Sequence, residues 1–105
     1  MEDFEKYLET EIKLIPVTTL KEMLKSHVVD LYRDCGQSMD AEEITYLCKR
    51  VFDVLTGKHR SWKWFHVRRT FERGLAEEFG TWRKVTVKLI FSWLYNTEES
   101  LRRKR

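Results

Sequence analysis

Residues 62–95 read WKWFHVRRTFERGLAEEFGTWRKVTVKLIFSWLY, and this stretch decides the fold because its apolar residues recur at helical spacing. A projection at about 100° per residue predicts one helix over residues 62–79, with Gly80 as its C-cap, and a second over about residues 86–100. The core face of the first helix comprises Trp64, Val67, Phe71, Leu75 and Phe79.

The opposite face of the 62–79 helix carries the clearest functional pattern. It combines Trp62, His66, Arg69 and Arg73, with Phe65 at its edge. Arginines bind phosphate oxygens bidentately, and exposed aromatic rings stack on unpaired bases, so this face predicts nucleic-acid binding. An alternative stays open, in which Trp62 and Phe65 pack under another helix and the arginines pair with acidic residues.

The helix over 86–100 has an unusually wide apolar surface. Its core-facing residues are Val87, Ile90, Phe91 and Leu94, whereas Leu89 and Trp93 lie on a different side. Such a surface implies two neighbours or a second chain. The alternative to a nucleic-acid-binding function is therefore a protein-interaction or structural module that forms a homo-oligomer, with Leu89 and Trp93 as its predicted partner interface. Gly74, in the preceding helix, marks either a close approach of a neighbouring helix or a bend.

Towards the N-terminus, the sequence predicts three further helices. The first covers about residues 2–14 and ends before Pro16. The second opens at a capping box, Thr19-x-x-Glu22, and stops at Gly36.

The third of these helices, over residues 41–56, follows a capping signal at residues 38–43 and ends at Gly57. Ser61 is the predicted N-cap of the helix that comes next. Together these patterns predict an all-α fold, a single compact domain of four to five helices over residues 1–105, with residues 101–105 as a basic tail.

Charge is distributed unevenly along the 105 residues. Residues 1–56 carry 7 Lys+Arg against 12 Asp+Glu, whereas residues 57–105 carry 13 against 5. The basic half favours nucleic acid as a partner, followed by an acidic protein surface, although the two halves could also simply attract each other. The predicted nucleic-acid-binding residues are Trp62, Phe65, His66, Arg69, Arg73, Lys63, Arg60, Arg102, Arg103 and Arg105.

Catalytic, metal-binding and cofactor motifs are not recognisable in the sequence. No nucleophile is paired with a base, and the adjacent glutamates of each Glu-Glu pair point about 100° apart on a helix. The histidines and the two cysteines, Cys35 and Cys48, form no close-set ligand pairs, and both thiols fall on apolar helix faces. We therefore expect a protein that is not an enzyme, with no metal, no cofactor and reduced cysteines.

The N-terminus is acidic and amphipathic, unlike a secretory signal, and no apolar run approaches the roughly 18 residues of a membrane span. These features predict a cytoplasmic protein without a membrane partner. A helix-turn-helix reading of residues 62–100 is disfavoured, because large apolar residues dominate the helix that would have to contact base edges.

Phe71 to Gly80, FERGLAEEFG, is followed by VTVK at residues 85–88 and by WLY at residues 93–95. This third of the chain resembles small helical proteins of phages and of integrative elements of gut bacteria, whose pattern is similar to AFERG…GEYG…VT.K….WL..Y. Their pattern has a glycine where this chain has Glu77. Because some of these proteins resemble helicase loaders or replisome organisers, the resemblance implies a DNA-replication accessory role in a mobile element and supplies no catalytic residues.

Overall fold

The apolar stripes of the sequence become the buried faces of four α-helices. A computed structural model describes residues 4–103 and gives α1 as Val17–Asp34, α2 as Ala41–Gly57, α3 as Trp64–Leu75 and α4 as Val87–Arg103. The predicted all-α fold, a single domain of four to five helices, is confirmed. Within the described residues, no helix is both long enough and apolar enough to cross a membrane.

The helices pack in two pairs, α1 against α2 and α3 against α4, and α2 also contacts α4. Side chains from every helix enter one core, in which Trp64, Phe71 and Trp93 are almost fully buried. The hydroxyl groups of Thr70 on α3 and Thr97 on α4 lie 2.6 Å apart and satisfy each other inside this core.

Gly74 lets α3 and α4 approach closely. A Cβ atom at this position would overlap the indole ring of Trp93. Of the two roles predicted for Gly74, a close approach of a neighbouring helix or a bend, the structure shows the close approach. Trp93 also meets the rings of Phe71 and Trp82 edge to face, with centroids 6.3 Å and 5.5 Å away. The indole N–H of Trp82 donates to the Gly74 carbonyl at 2.9 Å, which closes this cluster.

The N-terminal segment is not the predicted α-helix. Residues 4–14 form two short 3-10 helices, Phe4–Tyr7 and Ile12–Leu14, while residues 2 and 3 lie outside the described part. The connecting backbone bonds instead to the chain that enters α3: the Ile12 N–H donates to the Trp62 carbonyl at 2.7 Å, and the Trp64 N–H donates to the Thr10 carbonyl at 3.0 Å. A continuous helix would have to give up these bonds.

The predicted N-terminal capping residue is confirmed for α2 and wrong for α1 and α3. Asp40 caps α2, since its side chain accepts from the Glu43 N–H at 3.1 Å, and Gly36 takes the expected left-handed conformation with φ of 71°. The Thr19 capping box is wrong because α1 already begins at Val17, where Pro16 presets the backbone.

The third helix is shorter than predicted at both ends. It begins at Trp64, with Lys63 and not Ser61 as its N-cap. It ends at Leu75, because the chain turns through Glu77, whose φ of 60° lies in the left-handed region that favours glycine. Leu75 consequently leaves the predicted core face and is 37% exposed.

Candidate functional site

The exposed face of α3 centres on Phe65 and Arg69. The Arg69 guanidinium lies over the Phe65 ring, 5.8 Å from its centroid. Phe65 is 39% exposed, and Arg69 is exposed and has no ion pair with any residue in the range 4–103. We call these two side chains the Phe65–Arg69 ridge. It presents an aromatic ring and an uncompensated cation to solvent.

A shallow groove runs along each side of the ridge. The larger one, about 450 Å³, lies towards Leu8 and Glu72. The smaller one, about 100 Å³, lies towards α4 and includes Ser100 and Leu101. Both grooves are also lined by Arg73. Solvent-facing concavities beside an exposed ring can receive flat or linear ligands.

The antiparallel pairing of α3 and α4 brings the end of α4 beside the start of α3. Leu101 lines the smaller groove, and Arg102 and Arg103 follow it directly in the last turn of α4. Neither of these two predicted binding residues lines the grooves beside the ridge, and Arg102 is directed to Glu98, which also pairs with Lys58. Arg105 lies outside the described residues.

Trp62 does not share the solvent-exposed face of Arg69. It is half-buried, and its ring stacks on the His59 imidazole with centroids 3.9 Å apart. The packing alternative is therefore favoured for Trp62. His66 is also half-buried, and its Nδ1 accepts from the Lys63 N–H at 3.0 Å, so this imidazole helps to cap α3.

The acidic first half supplies carboxylates to two of the basic side chains. The Lys63 ammonium lies 3.1 Å from Glu9, and the Arg68 guanidinium lies 2.6 Å from Glu5. The predicted attraction between the two halves is present at these contacts. Because the partners are substantially exposed, each pair contributes only about 0–1 kcal/mol, and an incoming phosphate can compete for the cation.

Other cations pair with carboxylates close to them in sequence. Arg73 contacts Glu78 at 3.2 Å and lies over the ring of Phe79. Arg102 contacts Glu98 at 2.9 Å and also Glu99. In the part of the chain that the structure describes, the predicted binding cations without an ion pair are Arg60, Arg69 and Arg103.

The predicted partner interface at Leu89 and Trp93 needs correction. Trp93 is only 1% exposed within the single chain, because the missing side chain of Gly74 admits its indole between α3 and α4. Leu89 is half-buried against the same core. Trp93 is thus covered by α3 and by Trp82 and offers no surface to a partner, whereas the contact predicted for the half-buried Leu89 stays a prediction.

Two histidines are held in positions that disfavour their charged forms. Burial lowers the pKa of His59 below 6.5, and the nearby Glu98 carboxylate opposes this effect only in part. Burial likewise lowers the pKa of His27, whose ring stacks on Trp64 and Phe71 with centroids 5.1 Å and 5.6 Å away. Protonation of either imidazole therefore favours the unfolded chain.

Acidification should destabilise the protein in a pH window set by these histidines. In the unfolded chain both titrate near 6.5, so below that pH the unfolded state binds protons that the folded state does not, and the free energy of unfolding falls. We expect a lower melting temperature at about pH 5.5 than at about pH 7.5. The His27→Gln/His59→Gln variant should show a flatter pH dependence, and an undiminished one would contradict this explanation.

The ridge and its two grooves offer a surface that a ligand can contact. No cluster of three or more potential metal ligands occurs among the described residues. Leu8, Ser100 and Leu101 also line the grooves, although the sequence does not predict them as site residues. No local pattern marks these residues, because only the antiparallel register and the folded-back N-terminal segment bring them to α3.

Comparison of the chain with protein-family models, with curated proteins and with solved structures finds no match.

Proposed function

We propose that this protein is a non-enzymatic, nucleic-acid-associated adaptor that binds a single strand along the Phe65–Arg69 ridge. The observation that carries the proposal is the pairing of an exposed aromatic ring with a guanidinium that has no ion-pair partner in residues 4–103. A base can stack on the ring while the guanidinium binds the adjacent phosphate. Arg73, which lines both grooves, and Arg68, which lines the larger one, extend the basic surface beside the ridge.

The shape of the surface favours an unpaired strand over a duplex. The ridge lies between shallow grooves of about 450 Å³ and about 100 Å³, and a ring can stack only on a base that is not already paired and stacked. Binding of this kind tolerates any sequence, because every base has an aromatic face. Binding of such strands is consistent with a replication accessory role in a phage or mobile element, the role implied by the sequence resemblance.

Several exposed ion pairs must open when phosphate binds. Arg73 is paired with Glu78, and Arg68, which lines the larger groove, is paired with Glu5 and Glu72. Such pairs are weak, and phosphates of a strand would replace several carboxylates at once. The proposal therefore predicts modest affinity at physiological salt and a steep gain at low salt.

Binding should depend on the two residues of the ridge. Labelled single-stranded and duplex DNA would be titrated at about 50 mM and about 200 mM salt. We expect Phe65→Ala to weaken single-strand binding by about 5-fold to 100-fold, the range found for a lost stacking contact. Arg69→Glu should weaken it at least as much, because it also introduces repulsion.

Matched controls use the same changes on other exposed surfaces. Tyr46→Ala removes a 53%-exposed ring on α2, and Arg33→Glu reverses an exposed charge on α1. We expect both controls to bind within about twofold of the unaltered protein. No binding at low salt, or equal losses in the ridge variants and their controls, would refute the proposed function.

A further inference from the structure

A second groove, between α1 and α2, has a different chemical character. It encloses about 450 Å³, and its floor comprises Leu24 and Ile44, which are buried, together with Cys48 and Phe52, which are half-buried. None of its lining residues lines the grooves beside the Phe65–Arg69 ridge. It is therefore a separate surface feature with an apolar floor.

The rim of this groove is formed by three exposed lysines, Lys21, Lys25 and Lys49, and among the described residues Asp53 is the one acidic residue that lines it. Within residues 4–103 none of the three lysines has an ion pair. The Lys21 ammonium lies 5.3 Å from the centroid of the Phe52 ring, at the edge of the apolar floor. The groove thus combines apolar surface with an excess of positive charge.

The groove is elongated along α2. On α2 the groove is lined by two rows of residues with i, i+4 and i+8 spacing. One row is Ile44, Cys48 and Phe52, and the other is Thr45, Lys49 and Asp53. Residues in such rows lie along one stripe of a helix, and this stripe extends over more than two turns. A third helix laid against two packed helices would contact that stripe with its own i, i+3, i+4 and i+7 side chains.

We propose that the α1–α2 groove docks an acidic amphipathic helix of a partner protein. Apolar side chains of that helix would cover Ile44, Cys48 and Phe52, while its flanking carboxylates reach the three lysines. This charge complementarity selects an acidic helix and rejects a basic one, because juxtaposed like charges repel each other. The apolar floor is recessed between lysines, which suits an inserted helix face better than a flat membrane surface.

This docking site is independent of the proposed nucleic-acid site, since the two share no residue. With both sites, the small domain would bridge a nucleic-acid strand and a protein. Failure of one site would leave the other untouched, and the experiments separate them.

Cys48 on the groove floor supplies a direct reporter. In a Cys35→Ser background it is the single thiol of the chain, and burial raises its pKa, so alkylation by iodoacetamide would be followed at about pH 8.5. The probe is a designed helix with leucines at i, i+3, i+4 and i+7 and glutamates on both flanks. We expect saturating probe to slow alkylation at least about fivefold, and a scrambled peptide or one with lysines for glutamates to slow it less than about twofold.

Charge reversal on the rim tests the electrostatic part. We expect Lys25→Glu/Lys49→Glu to weaken binding of the acidic helix about tenfold or more. Lys84→Glu/Lys88→Glu is the matched control, because it changes the net charge equally at exposed positions before and within α4, outside the groove. The control should bind within about twofold of the parent, and helical circular dichroism should be the same in all variants.

Four results would overturn the proposal. The first is that the acidic helix does not protect Cys48, and the second is that the rim variant and its control bind that helix equally well. The third is that phosphatidylglycerol vesicles protect Cys48 and the peptide does not. The fourth is that protection grows with protein concentration while the mass in solution doubles. The third result would assign the groove to a membrane surface, and the fourth to a second copy of the chain.

Discussion

Gly74→Ala is expected to lower the free energy of unfolding by about 1–3 kcal/mol or more. The added Cβ would overlap the Trp93 indole, which is enclosed by Phe71 and Trp82 and cannot move aside without opening the core. The sign of this effect is opposite to that of helix propensity, by which alanine is favoured over glycine by about 1 kcal/mol. Urea denaturation followed by circular dichroism measures the change.

Gly57→Ala is the control for this prediction. Gly57 is the last residue of α2, and a Cβ there would meet no atom within 4 Å. We expect this variant to be unchanged or slightly stabilised. A Gly74→Ala variant as stable as Gly57→Ala would show that α3 and α4 can separate freely, which contradicts the close approach described above.

Trp93→Ala is expected to cost about 3–5 kcal/mol, since it empties a large volume in the core. A domain of this size has a total stability of roughly 5–15 kcal/mol, so a large part of the folding free energy would be lost. Trp62→Ala, which removes a half-buried ring at the surface, should cost clearly less. Urea denaturation of both variants, with sedimentation to give their masses, makes the comparison.

The same experiment distinguishes a core tryptophan from an interface tryptophan. If Trp93 were an exposed contact for a second copy, its replacement would reduce the mass in solution and leave the stability of the monomer intact. We expect the reverse result: Trp93→Ala should be much less stable than the unaltered protein and should have the same mass in solution. Because Trp93 is buried within one chain, its packing against α3 accounts for this part of the wide apolar surface of α4. Contact with a second copy through Trp93 is not needed to explain it.

The features that the sequence predicted well are those that local physics determines. The α2 helix has a capping aspartate, Asp40, and apolar residues on one face, so its start and its buried side follow from neighbouring residues. The left-handed end of α1 at Gly36 is equally local. For the same reason helical spacing in the sequence correctly distinguishes the exposed α3 face of Phe65 and Arg69 from the buried face of Trp64 and Phe71.

The failures come from contacts between residues distant in sequence. Helical spacing in residues 4–14 correctly indicates that Phe4, Leu8 and Ile12 pack against the core, but hydrogen bonds with Arg60, Trp62 and Phe65 determine the backbone. The orientation of Trp93 depends on a glycine of another helix. The position of Trp62 depends on His59, which is almost fully buried although a histidine in a basic connection gives no sign of burial.

The pairing of Ile12 with Trp62 has a consequence for the order in which the protein folds. A nascent chain is synthesised at about 5–20 residues per second, so the N-terminal segment waits for seconds before its backbone partners emerge. Meanwhile α1 and α2 can form from local contacts. The segment must then close a loop that contains both helices, which is an entropically slow step. We expect the N-terminal segment to be the last element to fold and the first to lose protection from hydrogen exchange.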